Sequence, residues 1–238
     1  NIEFQLTDRG NIGLSYATHY DAFNKFTPYL INIEKYLFDP NTEDIQDEFN
    51  ELLASLHSLN SKGHSPGTIE WDVSKHLEGL LVGPILVALG MSDFFLNSLE
   101  NEGEVNVGNM GETLPILHSI LTLFINLNWI EIKNDIKYFS EEGLFFIKRS
   151  TAYGVTVSYL PTFNQMSELL FGNPNILWKR NPNGLETHVN RRMNVWGSGG
   201  AHSLYFRKID EIITHIFNQP LDKQPIGIAD MGCGDGTL

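Results

Sequence analysis

From Asn41 to Leu59 the apolar residues Ile45, Phe49, Leu52, Leu53, Leu56 and Leu59 recur at intervals of three and four, which places them on one face of an amphipathic helix. Asn41 or Thr42 supplies a capping oxygen, and Glu43 and Asp44 sit where the helix end is positive. SKGHSPGT at 61–68, with two glycines and a proline, reads as a loop. Apolar helices continue through Leu99. The most apolar stretch, LEGLLVGPILVALGM at 77–91, predicts a buried helix bent or broken at Gly83-Pro84, because proline lacks the N–H that the helix ladder needs. It contains Glu78 and falls short of the roughly 18–20 apolar residues of a bilayer span.

The pattern changes after NEGEVNVGNMGE at 101–112, a break rich in glycine and asparagine. Thr113 to Asn128 predicts a buried helix with Pro115 in its first turn. WIEIK and IKYF flank Asn134-Asp135, a tight hairpin at residues that tolerate positive φ. Ser140 then caps a helix over SEEGLFFIKR. Helix, hairpin and helix in this order predict a winged-helix-like unit at about 113–153. Lys133 and Lys137 on the hairpin are surrounded by Glu131, Asp135, Glu141 and Glu142, so packing or a lid role is favoured over DNA binding.

A short helix is expected around Gln165 to Phe171, ended by Gly172 and Pro174. Glycines at 197, 199 and 200 (GSGG) read as a break. Beyond it Leu204, Ile209, Ile212, Ile213, Ile216 and Phe217 keep a helical period, so a long helix is expected from about Ala201 to Phe217. The proline-bounded NQPLDKQP sets a boundary near residue 220. The organisation expected is a mainly α region over 1–220, then at 221–238 a short buried strand of Ile226, Ile228 and Ala229 that leads into a glycine loop.

Charge narrows the partners. A formal net charge of −13 over 238 residues disfavours nucleic acid and anionic membranes, both of which need a positive field. Lys179-Arg180 with Arg191-Arg192 nearby is the one dense basic cluster, and it reads first as a solvated face. The single Cys233 has no disulfide or zinc-knuckle partner, and no N-terminal segment has the pattern of a secretion signal. A reducing, cytoplasmic setting is the expectation. Cys233 has no basic neighbour in sequence to activate it as a nucleophile.

The chemistry sits in PIGIADMGCGDGTL. Asp230 stands at the carboxyl end of the expected strand, followed by Gly232, Gly234 and Gly236 at intervals of two. Glycines there let the chain turn tightly and let a ligand approach the backbone. A dinucleotide fingerprint would need glycine at 237, where Thr237 stands, and no GK[ST] of a P-loop follows.

The acidic-x-GxGxG pattern after an apolar strand resembles motif I of the class I S-adenosylmethionine-dependent methyltransferases. The fold this implies is a mainly α lid region with a small winged-helix-like β-hairpin, followed by the first strand and glycine loop of a Rossmann-like α/β core. The resemblance makes Asp230, Gly232, Gly234 and Gly236 cofactor contacts. With RRMNVWGSGGAHSLYFRKIDEIITHIF ahead of the motif, the chain is similar to the carbon-methylating domains of polyketide synthase loading modules of the apratoxin type, beside a GNAT-like domain. In such domains the helix ahead of motif I lines the pocket, which nominates Gly199, Tyr205 and Phe206 for the cofactor and Trp196, Ser198 and His202 for the substrate.

Trp196, Tyr205 and Phe206 offer ring faces to a sulfonium, and helix packing explains them equally well. His202 and His188 are lone histidines without a second ligand at helical spacing, so structural or surface roles are favoured. The resemblance implies S-adenosylmethionine, an acyl carrier protein as partner, and a divalent iron or manganese with ligands outside this chain. The base and the metal ligands are not nominated. The rest of a methyltransferase core does not follow Leu238, which makes a piece of a larger multidomain enzyme the expectation. A non-catalytic docking or dimerisation module is the alternative.

Overall fold

The computed structural model describes residues 4–60, 63–105, 114–229 and 231. It forms two compact units, Asn1–Lys148 and Arg149–Leu238.

Unit 1 opens with α1 (Asp8–Ser15), a 3₁₀ turn at Ala17–Tyr20, α2 (Asp21–Ile31) and α3 (Glu34–Leu37). Phe23, Phe26, Leu30, Ile33 and Leu37 are all buried, and their spacing of three and four is the same signal that marks the next helix. That helix, α4 (Glu43–Asn60), bears out the predicted amphipathic segment: Ile45, Phe49, Leu52, Leu56 and Leu59 are buried. The Thr42 carbonyl accepts from the N–H groups of Ile45 and Gln46 at 3.2 and 3.0 Å. The Phe26 and Phe49 rings stack with centroids 5.2 Å apart, joining α2 to α4.

The helix α5 (Ile69–Met91) is the expected buried helix, and of the bend or break expected at Gly83-Pro84 the break does not occur. It runs unbroken through Pro84, with Thr68 Oγ1 accepting from Trp71 N–H at 3.2 Å at its start. A proline inside a helix costs about 3 kcal/mol. Burial of Leu81, Val82 and every residue from Ile85 to Leu89 offsets that cost at roughly 1.5–3 kcal/mol per large side chain. By length and composition α5 could cross a membrane, but its apolar residues are taken up by the core of unit 1.

The winged-helix-like element follows α6 (Phe94–Glu100). The helix α7 (Pro115–Asn126) leads into β1 (Ile130–Lys133) and β2 (Ile136–Phe139), paired antiparallel with Ile130 opposite Phe139. Asn134 and Asp135 take φ of 53° and 64°, as a two-residue hairpin turn requires. Val105 N–H donates to the Lys137 carbonyl and Phe139 N–H to the Gly103 carbonyl, both at 2.8 Å, so 103–105 covers the free edge of β2. Ser140 caps α8 (Glu141–Ile147): its Oγ accepts from Gly143 N–H at 3.1 Å and donates to the Asn128 carbonyl at 2.7 Å. Trp129 stacks on Phe146 with centroids 4.2 Å apart. A Cβ at Gly143 would collide with the Trp129 carbonyl oxygen, so only glycine lets α8 start this close to the hairpin.

Unit 2 contains α9 (Ser150–Val157), α10 (Leu160–Phe163), α11 (Met166–Phe171), a 3₁₀ turn at Pro174–Trp178, α12 (Arg191–Phe217) and a 3₁₀ turn at Leu221–Lys223. The expected short helix is α11, followed by Gly172 and Pro174. The predicted break at GSGG does not occur: α12 is continuous from Arg191 to Phe217. Residues 225–229 form no ladder among the described residues, and Ile226 and Ile228 are exposed rather than buried as expected. Among the described residues no strand pairs with this stretch to satisfy its N–H and C=O groups.

Candidate cofactor-binding site

The helix α12 carries every nominated residue that lies within the described part of the chain. Its start is fixed locally. Asn190 Oδ1 accepts from Met193 N–H at 3.1 Å, and Asn190 N–H donates to the Ser158 carbonyl at 2.9 Å. Arg191 pairs with Glu186 through Nε at 2.8 Å and Nη2 at 2.7 Å. This bond from Arg191 holds the Glu186 carboxyl below its ordinary value.

The glycines that looked like a break are the contact by which α12 packs on α9. A Cβ on Gly154 would lie 2.7 Å from Gly197 Cα, and one on Gly197 would lie 2.7 Å from Val155 N. One turn on, Gly200 faces the Thr151 side chain. The backbones therefore meet with no side chain between them. Glycine costs about 1 kcal/mol relative to alanine inside a helix, and this crossing is what offsets it. Beside it Asn194 Nδ2 donates to Ser158 Oγ at 3.0 Å, and Ser158 Oγ donates to the Val155 carbonyl at 2.6 Å. Met193 and Val189 are buried next to this network.

Beyond the crossing the helix presents the nominated polar and aromatic residues. Ser198, His202, Tyr205 and Phe206 follow at steps of four, three and one, which sets them along one face. His202 Nδ1 lies 3.4 Å from Ser198 Oγ, a long hydrogen bond. The His202 ring meets Tyr205 and Phe206 edge-on, with centroids 6.2 Å away in both cases. Tyr205 and His202 are exposed and Phe206 is half-buried, so the face is open to a ligand. Gly199 is half-buried, and Trp196 is half-buried without a ring contact to this group among the described residues.

Chemically the arrangement offers an imidazole, the hydroxyls of Ser198 and Tyr205, and the rings of Tyr205 and Phe206. An exposed tyrosine face attracts a cation such as a sulfonium. Asp230, Gly232, Gly234 and Gly236, with Cys233, lie outside the described residues. No group of three metal-ligating side chains occurs among the described residues. His188 is anchored through its backbone, whose carbonyl accepts from Thr162 Oγ1 at 2.6 Å; its Nδ1 is buried without a hydrogen-bond partner.

Sequence reasoning missed the residues that hold this helix in place: Gly154, Thr151, Ser158 and Asn194. The available signal was the small-residue run at 150–154 (STAYG) in the same chain as Gly197 to Gly200.

Residues 78–173 match the family model described as the AprA winged helix domain, and residues 186–238 match that of the AprA MT2-like domain. No curated protein matches the chain. The first match contains α7, the hairpin and α8; the second begins just ahead of α12 and contains the glycine-spaced motif. These two matches in tandem support an apratoxin-type polyketide synthase methyltransferase region.

Proposed function

We propose that the chain is part of an S-adenosylmethionine-dependent methyltransferase that transfers a methyl group to the α-carbon of a malonyl-type acyl group, carried by an acyl carrier protein during polyketide starter-unit synthesis. The observation that supports it is the Asp230-x-Gly-x-Gly-x-Gly spacing inside the segment that matches the MT2-like domain.

The donor set suits the cofactor. A carboxylate at Asp230 accepts hydrogen bonds from hydroxyls, and glycines at 232, 234 and 236 let a ligand lie against the backbone. S-adenosylmethionine supplies an electrophilic methyl carbon when bound. Transfer is an in-line displacement, so orientation provides much of the rate. On the acceptor side the α-carbon must first lose a proton and become an enolate, whose charge requires stabilisation. Tyr205, Phe206 and Gly199 are proposed to line the cofactor, and Trp196, Ser198 and His202 the acyl substrate. Neighbouring polyketide synthase domains, including a GNAT-like domain, and a cytoplasmic setting belong to the same reading.

The test uses the polypeptide that carries these residues in its natural setting. It is incubated with S-adenosylmethionine and malonyl-loaded carrier protein, with and without ferrous or manganous ion, and the carrier is weighed by mass spectrometry. A gain of one or two methyl groups that disappears in Gly234→Val supports the proposal. No gain on any acyl carrier under any metal condition overturns carbon methylation.

A further inference from the structure

The segment from Phe163 to Leu185 leaves Phe163, Met166, Leu170, Phe171, Trp178 and Leu185 in water. Phe171 is 88% exposed and Trp178 80%. Phe163, Met166 and Leu170 follow at steps of three and four, and α11 packs against the 3₁₀ turn that ends in Trp178. Met166, Leu170, Phe171 and Trp178 are thus exposed on two elements that pack against each other, unlike the singly scattered exposed residues usual on a protein surface.

The patch is built on ordered backbone. Ile176 anchors the 3₁₀ turn in the interior, and Asn173 Oδ1 accepts from Asn175 N–H at 3.0 Å at its start. In the following loop Asn181 Oδ1 accepts from the N–H groups of Asn183 and Leu185 at 2.9 Å, and Arg180 Nη1 donates to the Gly184 carbonyl at 2.8 Å. Thr187 Oγ1 closes the loop on the Lys179 carbonyl at 3.2 Å. The backbone that carries Trp178 is thus already ordered before binding, and tryptophan and arginine are enriched among the residues that dominate interface energies.

Charge selects the partner. Lys179 and Arg180 adjoin Trp178, while the two nearby acids are occupied: Glu168 accepts from Asn173 N–H at 2.9 Å and Glu186 pairs with Arg191. Unit 2 carries eight basic and seven acidic residues, against eight and 22 in unit 1. These exposed apolar residues with a positive edge thus lie on the unit whose charge is near balance.

We propose that this surface docks an acidic amphipathic helix of a partner protein, with its apolar stripe on Leu170, Phe171 and Trp178 and its carboxylates against Lys179 and Arg180. Two adjacent cations beside exposed aromatics are too few for a polyphosphate, which would need a longer positive track. The inference is independent of the methyl-transfer reading.

A labelled designed peptide with a leucine stripe and glutamates on its remaining face tests it, beside a twin with lysine at each glutamate. Fluorescence anisotropy with the full chain is expected to show the acidic peptide binding and the basic twin about tenfold weaker. Trp178→Ala and Lys179→Glu each weaken the acidic peptide about tenfold, whereas Lys223→Glu, elsewhere in unit 2, leaves it unchanged. Circular dichroism and thermal unfolding confirm that each variant is folded. Absent binding of the acidic peptide, equal binding of the two peptides or unchanged binding by Trp178→Ala overturns the proposal. So does Trp178-dependent self-association in sedimentation, or preference for anionic vesicles over the acidic peptide.

Discussion

The two units hold themselves together by opposite means. Unit 1 fills its interior with large side chains: Phe26, Phe49, Leu81, Ile85 and Phe124 are each at most 2% exposed. In unit 2 the principal helix contact, α9 on α12, depends on side chains that are missing, since Gly154 and Gly197 bring the two backbones together. The first arrangement is sensitive to removing atoms and the second to adding them. The same substitution therefore has different meaning in the two units.

The largest effect is expected from truncation in unit 1. Phe49→Ala removes a fully buried ring that stacks on Phe26 and should cost roughly 3–5 kcal/mol. Urea unfolding followed in unit 1 reads this as a lower midpoint with an unchanged slope. A loss below about 1 kcal/mol would mean that the Phe26–Phe49 contact collapses without leaving a cavity.

Enlargement in unit 2 comes next. Gly154→Val places a Cβ 2.7 Å from Gly197 Cα, and overpacking of this kind costs about 1–3 kcal/mol. Hydrogen exchange should report faster opening of α9 and the first half of α12 while α5 stays protected. Equal acceleration in α5 would erase the distinction between the units. On the proposed function, the displaced helix would also misplace His202 and Tyr205.

These two sites also show why one kind of packing was legible in the sequence and the other was not. Large apolar residues announce a core by their period, as Ile45, Phe49, Leu52 and Leu56 do, and a side chain such as Ser140 announces a cap. The hairpin was equally plain, because Asn134 and Asp135 take the positive φ that their residue types tolerate. Glycines carry no period. Their low helix propensity made Gly197 to Gly200 look like an end, and only the position of Gly154 in space shows them to be an interface. Pro84 misled in the same way, since burial on both sides of it outweighs the bond it removes. For the candidate site, the sequence supplied the residues on one face of α12, and the structure added the His202 contacts with Ser198, Tyr205 and Phe206. The spacing at 230–236 remains a sequence argument, because those positions other than Met231 lie outside the described residues.

A smaller effect is expected at the hairpin end of unit 1. Ser140→Ala removes the oxygen that accepts from Gly143 N–H and donates to the Asn128 carbonyl, and should cost about 1 kcal/mol. Ser140→Thr or Ser140→Asp should recover most of the loss at the α8 end in thermal unfolding. Recovery by Thr but not by Asp, whose carboxylate accepts at the cap but donates nothing, would place the role of Ser140 in the Asn128 bond instead of the cap.

Acid should separate the units by the smallest margin. Glu186 in unit 2 and Glu70 in unit 1 both have carboxyl pKa values lowered from the ordinary 4.5, Glu186 chiefly by its bond from Arg191, and Glu70 by a backbone N–H and then the Tyr16 hydroxyl. A lowered folded value means that the stabilising contribution is fully present above the unfolded value and is lost as pH falls through the folded one. In unit 1 this loss is opposed, because protonating a population of 22 acidic residues against eight basic ones also relieves self-repulsion. Unit 2, with seven acids against eight bases, gains no such relief. Hydrogen exchange at descending pH, corrected for intrinsic rates, should therefore show the start of α12 loosening before the start of α5. In Glu186→Gln the pH dependence at α12 should flatten. Loosening in the reverse order, or an α12 response unchanged by that substitution, would show that the charge imbalance between the units does not govern their acid stability.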